Sequence, residues 1–152
     1  MSQAKKVFTR MCLNNWGGID HKVLEFHEYV NLFSGKSGSG KSTVMDAIQV
    51  ILYGSFSPSF LNKAADDAKN RRSVLSYLRG EQKDGSANRK DCDFCSVIAL
   101  EIEDTGTHII TCIGIAFEVR KSDSEIKKFV YFSHSGKMPE SEYLTEQGVC
   151  YS

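Results

Sequence analysis

Apolar and polar positions divide the chain into stretches of different period. Val7 to Leu13 predicts a first strand, followed by the turn-rich run NNWGGID. Lys22 to Phe26 alternates weakly and predicts a second strand. Tyr29 to Phe33 reads as a third, buried strand that runs into a glycine-rich loop. From Ser42 the period changes: Val44, Ala47, Ile48, Ile51 and Leu52 fall at i, i+3, i+4, i+7 and i+8, the apolar stripe of a helix. Gly54 sits just past its end, where a left-handed cap is favoured.

Residues 55–70 are polar and irregular, Arg71 to Leu78 fits a short helix, and GEQKDGSANRKDCD reads as a loop or mobile insertion. Three strand-like runs follow, Ser96–Glu103, His108–Arg120 and Ile126–Ser133. The short polar breaks DTGT and KSDSE between them predict an antiparallel meander. The tail from Ser135 is polar and reads as weakly structured. The order of strands, glycine loop, helix and meander predicts one α/β domain over residues 1–152, with a mixed sheet extended by antiparallel strands.

Composition narrows the function classes. A chain of 152 residues supports one domain with a real core. Its 19 basic and 19 acidic side chains balance, so the average field implies no polyanionic partner. The absence of an apolar run of about 18 residues argues against a membrane span. MSQAKKVFTRMCLNNW lacks the apolar segment of a secretory signal, and the five cysteines are scattered. Reduced thiols and a cytoplasmic location are the expectation.

Gly35-Lys36-Ser37-Gly38-Ser39-Gly40-Lys41-Ser42 fits G-x-x-x-x-G-K-[ST] at every fixed position. Glycines let successive N–H groups turn inward on an anion, and the following helix adds its own N–H groups and dipole. Lys41 is expected to reach the β- and γ-phosphates of ATP, the Ser42 hydroxyl to take one Mg²⁺ position, and Thr43 to contact the α-phosphate. The apolar strand before the loop and the amphipathic helix after it supply the context the motif requires. Hydrolysis also needs an acid at a strand end. Glu101 and Glu103, in VIALEIED, alternate with Leu100 and Ile102, a pattern of solvated glutamates on a half-exposed antiparallel strand rather than of a catalytic acid.

A strand ending in LNNW, a second strand, NLFSGKSGSGKSTVMDAIQVILYG and the basic NRRSVLSYLRG together resemble the N-terminal half of an SMC-type ATPase head. Within that superfamily the chain is most similar to the MukB-like ATPase subunits of the Wadjet anti-plasmid defence systems (the JetC family). A chromosome-organising MukB- or MksB-type condensin would look nearly the same. The resemblance implies a P-loop fold of the ABC/SMC head type and a DNA-translocating or loop-extruding ATPase that uses ATP and Mg²⁺. It implies cytoplasmic, nucleoid-associated work on DNA without sequence preference. Its partners would be the C-terminal half-head, a second head, and kleisin-type and accessory subunits.

By this resemblance Asn14 and Trp16 line the nucleotide beside the loop, with Trp16 either near the base or ribose or a core aromatic. Arg79 matches an arginine-bearing loop that couples DNA and nucleotide, with a plain surface arginine as its alternative. Gln147 falls where a Mg²⁺-contacting glutamine loop is expected, although TEQGVCYS matches that loop poorly. The signature motif, the acidic pair, the coiled-coil arms and the hinge are missing from this sequence. The chain is therefore expected to be catalytically incomplete, either the leading piece of a longer protein or a non-catalytic nucleotide-binding fragment.

Other constellations are weaker. Between Lys63 and Lys90, eight basic residues stand against four acidic ones, and this local surplus points to Arg71, Arg72 and Arg79 as DNA contacts. Cys92 and Cys95 form a C-x-x-C, but zinc needs further ligands at matching spacing, so two ordinary thiols are expected. His21, His27, His108 and His134 show neither metal spacing nor pairing with a nucleophile, and are expected to be structural or exposed.

Overall fold

The computed structural model describes residues 5–26, 41–53, 74–80, 87, 89 and 91–144. Its elements are β1 (Lys6–Trp16), β2 (Ile19–Glu25), α1 (Lys41–Tyr53), α2 (Val74–Arg79), β3 (Phe94–Asp104), β4 (Ile110–Val119) and β5 (Lys128–Ser135). The five strands form one sheet in the order β2-β1-β3-β4-β5, antiparallel at every step. The meander expected from the polar breaks is therefore present as β3–β4–β5. The expected strand Tyr29–Phe33, on which a mixed sheet depends, and the cap at Gly54 lie outside the described residues.

Because strand side chains alternate, the register sorts the sheet into two faces. Met11 pairs with Leu100 and Leu100 with Ile113; Leu13 pairs with Ile98 and Ile98 with Ile115. This face meets Val44, Ala47, Val50 and Ile51 of α1 and Val74, Leu75 and Leu78 of α2 in the main core. Each large aliphatic side chain buried there contributes on the order of 1.5–3 kcal/mol. The helical stripe is rotated from the expected one: Val50 is fully buried and Leu52 is 46% exposed. Leu52 continues the period in sequence, but the sheet contacts only a narrow strip of so short a helix.

The opposite face carries small side chains. Cys12, Ala99, Gly114 and Phe132 lie in one row across four strands. Cys12, Ala99, Cys112 and Met138 form a second buried cluster, with Val23, Phe132 and Tyr143 packed against it. Met138 and Tyr143 belong to the tail that the sequence assigns to weak structure. Among the described residues the tail has no helix or long strand, yet it is docked: Met138 is 6% exposed, and its N–H donates to Glu101 Oε2 at 2.7 Å.

Glu101 is correspondingly not a solvated glutamate. It is 4% exposed and also accepts from the Thr9 hydroxyl at 2.7 Å. Thr9 reaches it because the β1–β3 register shifts between Phe8 and Arg10. At the far end of β3, Asp104 accepts from the Gly106 and Thr107 amides at 2.9 and 3.1 Å. These bonds, that of Thr107 foremost, hold the Asp104 carboxyl below its usual range and fix the β3–β4 turn.

Gly114 shows how tightly the second face is closed. A Cβ there would lie 2.5 Å from the Ile98 carbonyl oxygen and 2.6 Å from Phe132 Cζ. The Phe132 ring thus occupies the space over the glycine. Gly114→Ala is expected to cost about 1–3 kcal/mol, lowering Tm by several degrees in a thermal melt. Gly18→Ala, at a turn position with nothing within 4 Å of the added Cβ, is expected to leave Tm nearly unchanged.

Candidate nucleotide-binding site

The helix that follows the glycine loop begins at Lys41. Lys41, Ser42 and Thr43 thus form the first turn of α1, where free backbone N–H groups and the positive end of the dipole attract phosphate. Val44, Ala47, Val50 and Ile51 hold the helix on the sheet. Asp46, on the same helix, is 3% exposed. The loop residues Gly35, Lys36, Ser37, Gly38, Ser39 and Gly40 lie outside the described residues, as do the side chains of Lys41, Ser42 and Thr43. Arg71, Arg72 and Gln147 also lie outside them.

Asn14 and Trp16, the flanking positions, are both committed to packing. Asn14 has no exposed surface and sits on the sheet face opposite α1. Its Nδ2 donates to the Glu142 carbonyl at 2.9 Å, and its Oδ1 faces His21 Nδ1. Trp16 has no exposed surface either and is the largest side chain of the main core. Of its two readings, the core aromatic is the one the described residues display.

Arg79 ends α2, and Gly80 after it takes the left-handed conformation (φ 70°) that stops the helix. Arg79 Nη2 donates to the Asp123 carbonyl at 2.6 Å and more distantly, at 3.3 and 3.4 Å, to those of Arg120 and Lys121. In the structure this guanidinium clamps the β4–β5 connection. Nothing in the sequence signals that role, because the acceptors are backbone carbonyls 41 to 44 residues away. Arg89, counted in the basic surplus, is 7% exposed. Its Nε donates to the Leu78 carbonyl at 2.7 Å, its Nη1 pairs with Asp20 at 2.9 Å, and its Nη2 donates to the Gly17 carbonyl. It joins the end of α2 to the β1–β2 turn and also lies over the Phe94 ring, 5.6 Å from its centroid. Two members of the basic cluster are thus used inside the fold, which shrinks the charge surplus offered to a phosphate backbone.

Cys92 is exposed, while Cys95 enters β3. Burial and the neighbouring Glu118 push the Cys95 thiol up, the opposite of what a reactive or metal-ready thiolate requires. His21 and His134, expected to be structural or exposed, lie at opposite edges of the sheet and contact the docked tail at Glu142 and Tyr143, partners that the sequence does not signal.

Comparisons with known proteins bear on the glycine loop. Residues 8–68 match the family described as the P-loop containing region of AAA domain. A 74-residue stretch is 39% identical to the C subunit of the nuclease SbcCD from Staphylococcus haemolyticus (strain JCSC1435), covering 46% of this chain and 6% of that protein. The matched stretch is thus a small part of that relative's length. Both similarities support nucleotide binding by a P-loop module of the kind found in SMC-like ATPases, set here in an α/β fold.

Proposed function

We infer that this chain is the nucleotide-gripping N-terminal part of an SMC/Rad50-type ATPase head. The observation that carries this reading is the coincidence of three features. A complete G-x-x-x-x-G-K-S motif leads into α1, α1 starts at the motif's lysine, and a P-loop family match spans residues 8–68. Gly35 to Gly40 and the first turn of α1 cradle the phosphates of ATP, Lys41 neutralises the β- and γ-phosphates, and Ser42 holds Mg²⁺. The resemblance to the JetC family favours work on DNA in anti-plasmid defence, with Arg71 and Arg72 contacting the backbone. The full machine then needs a C-terminal half-head, a second head, and kleisin-type and accessory subunits, in the cytoplasm.

The similarity to the SbcCD protein favours a second reading, in which the complete protein is the ATPase of a nuclease complex. Affinity purification from the native cells separates the two: a co-purifying nuclease subunit supports this second reading, and a kleisin-type subunit supports the first.

Glu101 bears on catalysis. Its carboxylate is buried and accepts from Thr9 and Met138, which supports a structural role rather than the positioning of an attacking water. The 152-residue chain alone is therefore expected to bind nucleotide without appreciable turnover. Glu101→Gln, which keeps only one of the two acceptors, is expected to cost about 1–3 kcal/mol of stability in denaturant unfolding. Steady ATP turnover by the isolated chain, lost in this variant without loss of stability, would mark the carboxylate as catalytic instead.

Lys41→Ala is expected to abolish ATP·Mg²⁺ binding measured by calorimetry, and unchanged affinity would sink the P-loop assignment. Replacing Arg71 and Arg72 with alanine is expected to weaken duplex DNA binding for all sequences alike. The slope of log K against log salt should flatten by roughly 2. An unaltered slope would return both arginines to the solvated surface.

A further inference from the structure

The tail crosses the sheet face opposite the helices and is fastened at both sheet edges. In its middle it is held by buried Met138 and by Glu101, which accepts the Met138 N–H. At the β1 side, the Glu142 carbonyl accepts from Asn14 Nδ2 at 2.9 Å and from the Cys12 thiol at 3.5 Å. At the β5 edge, Tyr143 packs on the Phe132 ring, and its hydroxyl meets His134 Nε2 at 2.8 Å. At the β2 edge, His21 Nε2 meets the Glu142 carboxylate, while His21 Nδ1 meets Asn14 Oδ1.

The two histidines face different sets of donors and acceptors. Burial pushes the Tyr143 phenol far up, so the phenol keeps its proton, and a neutral His134 ring can accept that O–H at Nε2. The remaining ring nitrogen, Nδ1, can then donate to the Ser135 carbonyl at 3.3 Å. A neutral His134 ring therefore satisfies both of its contacts. His21 stands between two oxygens. Asn14 Nδ2 is committed to the Glu142 carbonyl, so the amide cannot be reversed and Oδ1 must face His21. The carboxylate on the other side is also an acceptor. A neutral imidazole has one N–H and cannot serve both oxygens. The bridge Asn14–His21–Glu142 closes only when the His21–Glu142 pair holds one proton more than a neutral imidazole and a carboxylate would.

We propose that this shared proton latches residues 138–144 to the sheet, making the tail a strap that docks when the His21–Glu142 pair is protonated and loosens when it is not. Among the described residues, no other ion pair reaches the bridge. On the same face, the Arg10–Glu25 pair (3.6 Å) is separated from it by the Cys12–Val23 row. Asp20 and Lys22 point to the other face, Asp20 towards Arg89. Glu140, in the strap, is exposed. Release of the strap would uncover the Cys12 and Cys112 thiols, which are wholly buried beneath it. The latch depends on no nucleotide contact.

Hydrogen exchange of the 152-residue chain tests the proposal, with rates corrected for the intrinsic effect of pH. Protection of residues 137–144 is expected to fall about two- to fivefold between about pH 5.5 and about pH 8, the size of one ion pair whose side chains are 37% and 39% exposed. Protection of residues 95–119 should hold steady. His21→Gln, which cannot offer a donor to each oxygen, is expected to leave the strap poorly protected at both pH values. Glu142→Gln supplies an amide donor to a neutral His21 ring, so it is expected to keep the strap docked at both values and erase the pH dependence. Equal strap protection at both pH values in the unaltered chain would overturn the latch. So would a pH response that survives in Glu142→Gln. If His21→Gln lowers protection over 95–119 as well, the Glu142→Gln comparison still decides.

Discussion

The antiparallel pairing of β1 with β3 is the contact on which everything else rests. β1 ends at Trp16 and β3 begins at Phe94, so the glycine loop, α1 and α2 all belong to the long excursion that this pairing closes. Closing so long a loop is entropically costly, and the cost is offset only if both strands bury large side chains at once. They do: Met11, Leu13, Ile98 and Leu100 are all fully buried. The nucleotide motif is thereby tied to a sheet whose stability comes from residues far from it in sequence.

The two faces of that sheet are finished by different physics. The helix side is an ordinary apolar layer, in which many side chains of similar energy share the load. The strap side uses few apolar groups and relies on specific hydrogen bonds to buried polar atoms of Cys12, Asn14 and Glu101. Apolar packing tolerates small shifts, whereas a buried polar group left without its partner costs about 1–3 kcal/mol. The strap side is therefore the face where a single proton or a single substitution has the larger consequence.

This division explains what the sequence makes legible. The three strands of the meander can be read from alternation and polar breaks because their partners are neighbours in the chain. The motif from Gly35 to Ser42 can be read because its chemistry is local, and the start of α1 at Lys41 agrees with it. The roles of Glu101, Arg79 and Arg89 cannot be read, because their partners lie between 11 and 92 residues away and several are backbone atoms with no signature. Charge counting alone places all three on the surface. The docking of the tail from Ser135 is hidden for the same reason: one methionine and one tyrosine give no periodicity, although both become anchors once β1, β3 and β5 lie in one sheet.

Placing charged residues as internal ties also bears on how α2 is seated. Arg89 joins the end of α2 to the β1–β2 turn, and Arg79 joins that same end to the β4–β5 connection. The short helix is thereby fixed to connections on both sides of the sheet. Carbonyl acceptors and a largely exposed carboxylate make these ties directional but individually modest. The main core holds both helices, through Val44, Ala47, Val50 and Ile51 of α1 and Val74, Leu75 and Leu78 of α2, and the two guanidinium groups add directional ties at the end of α2.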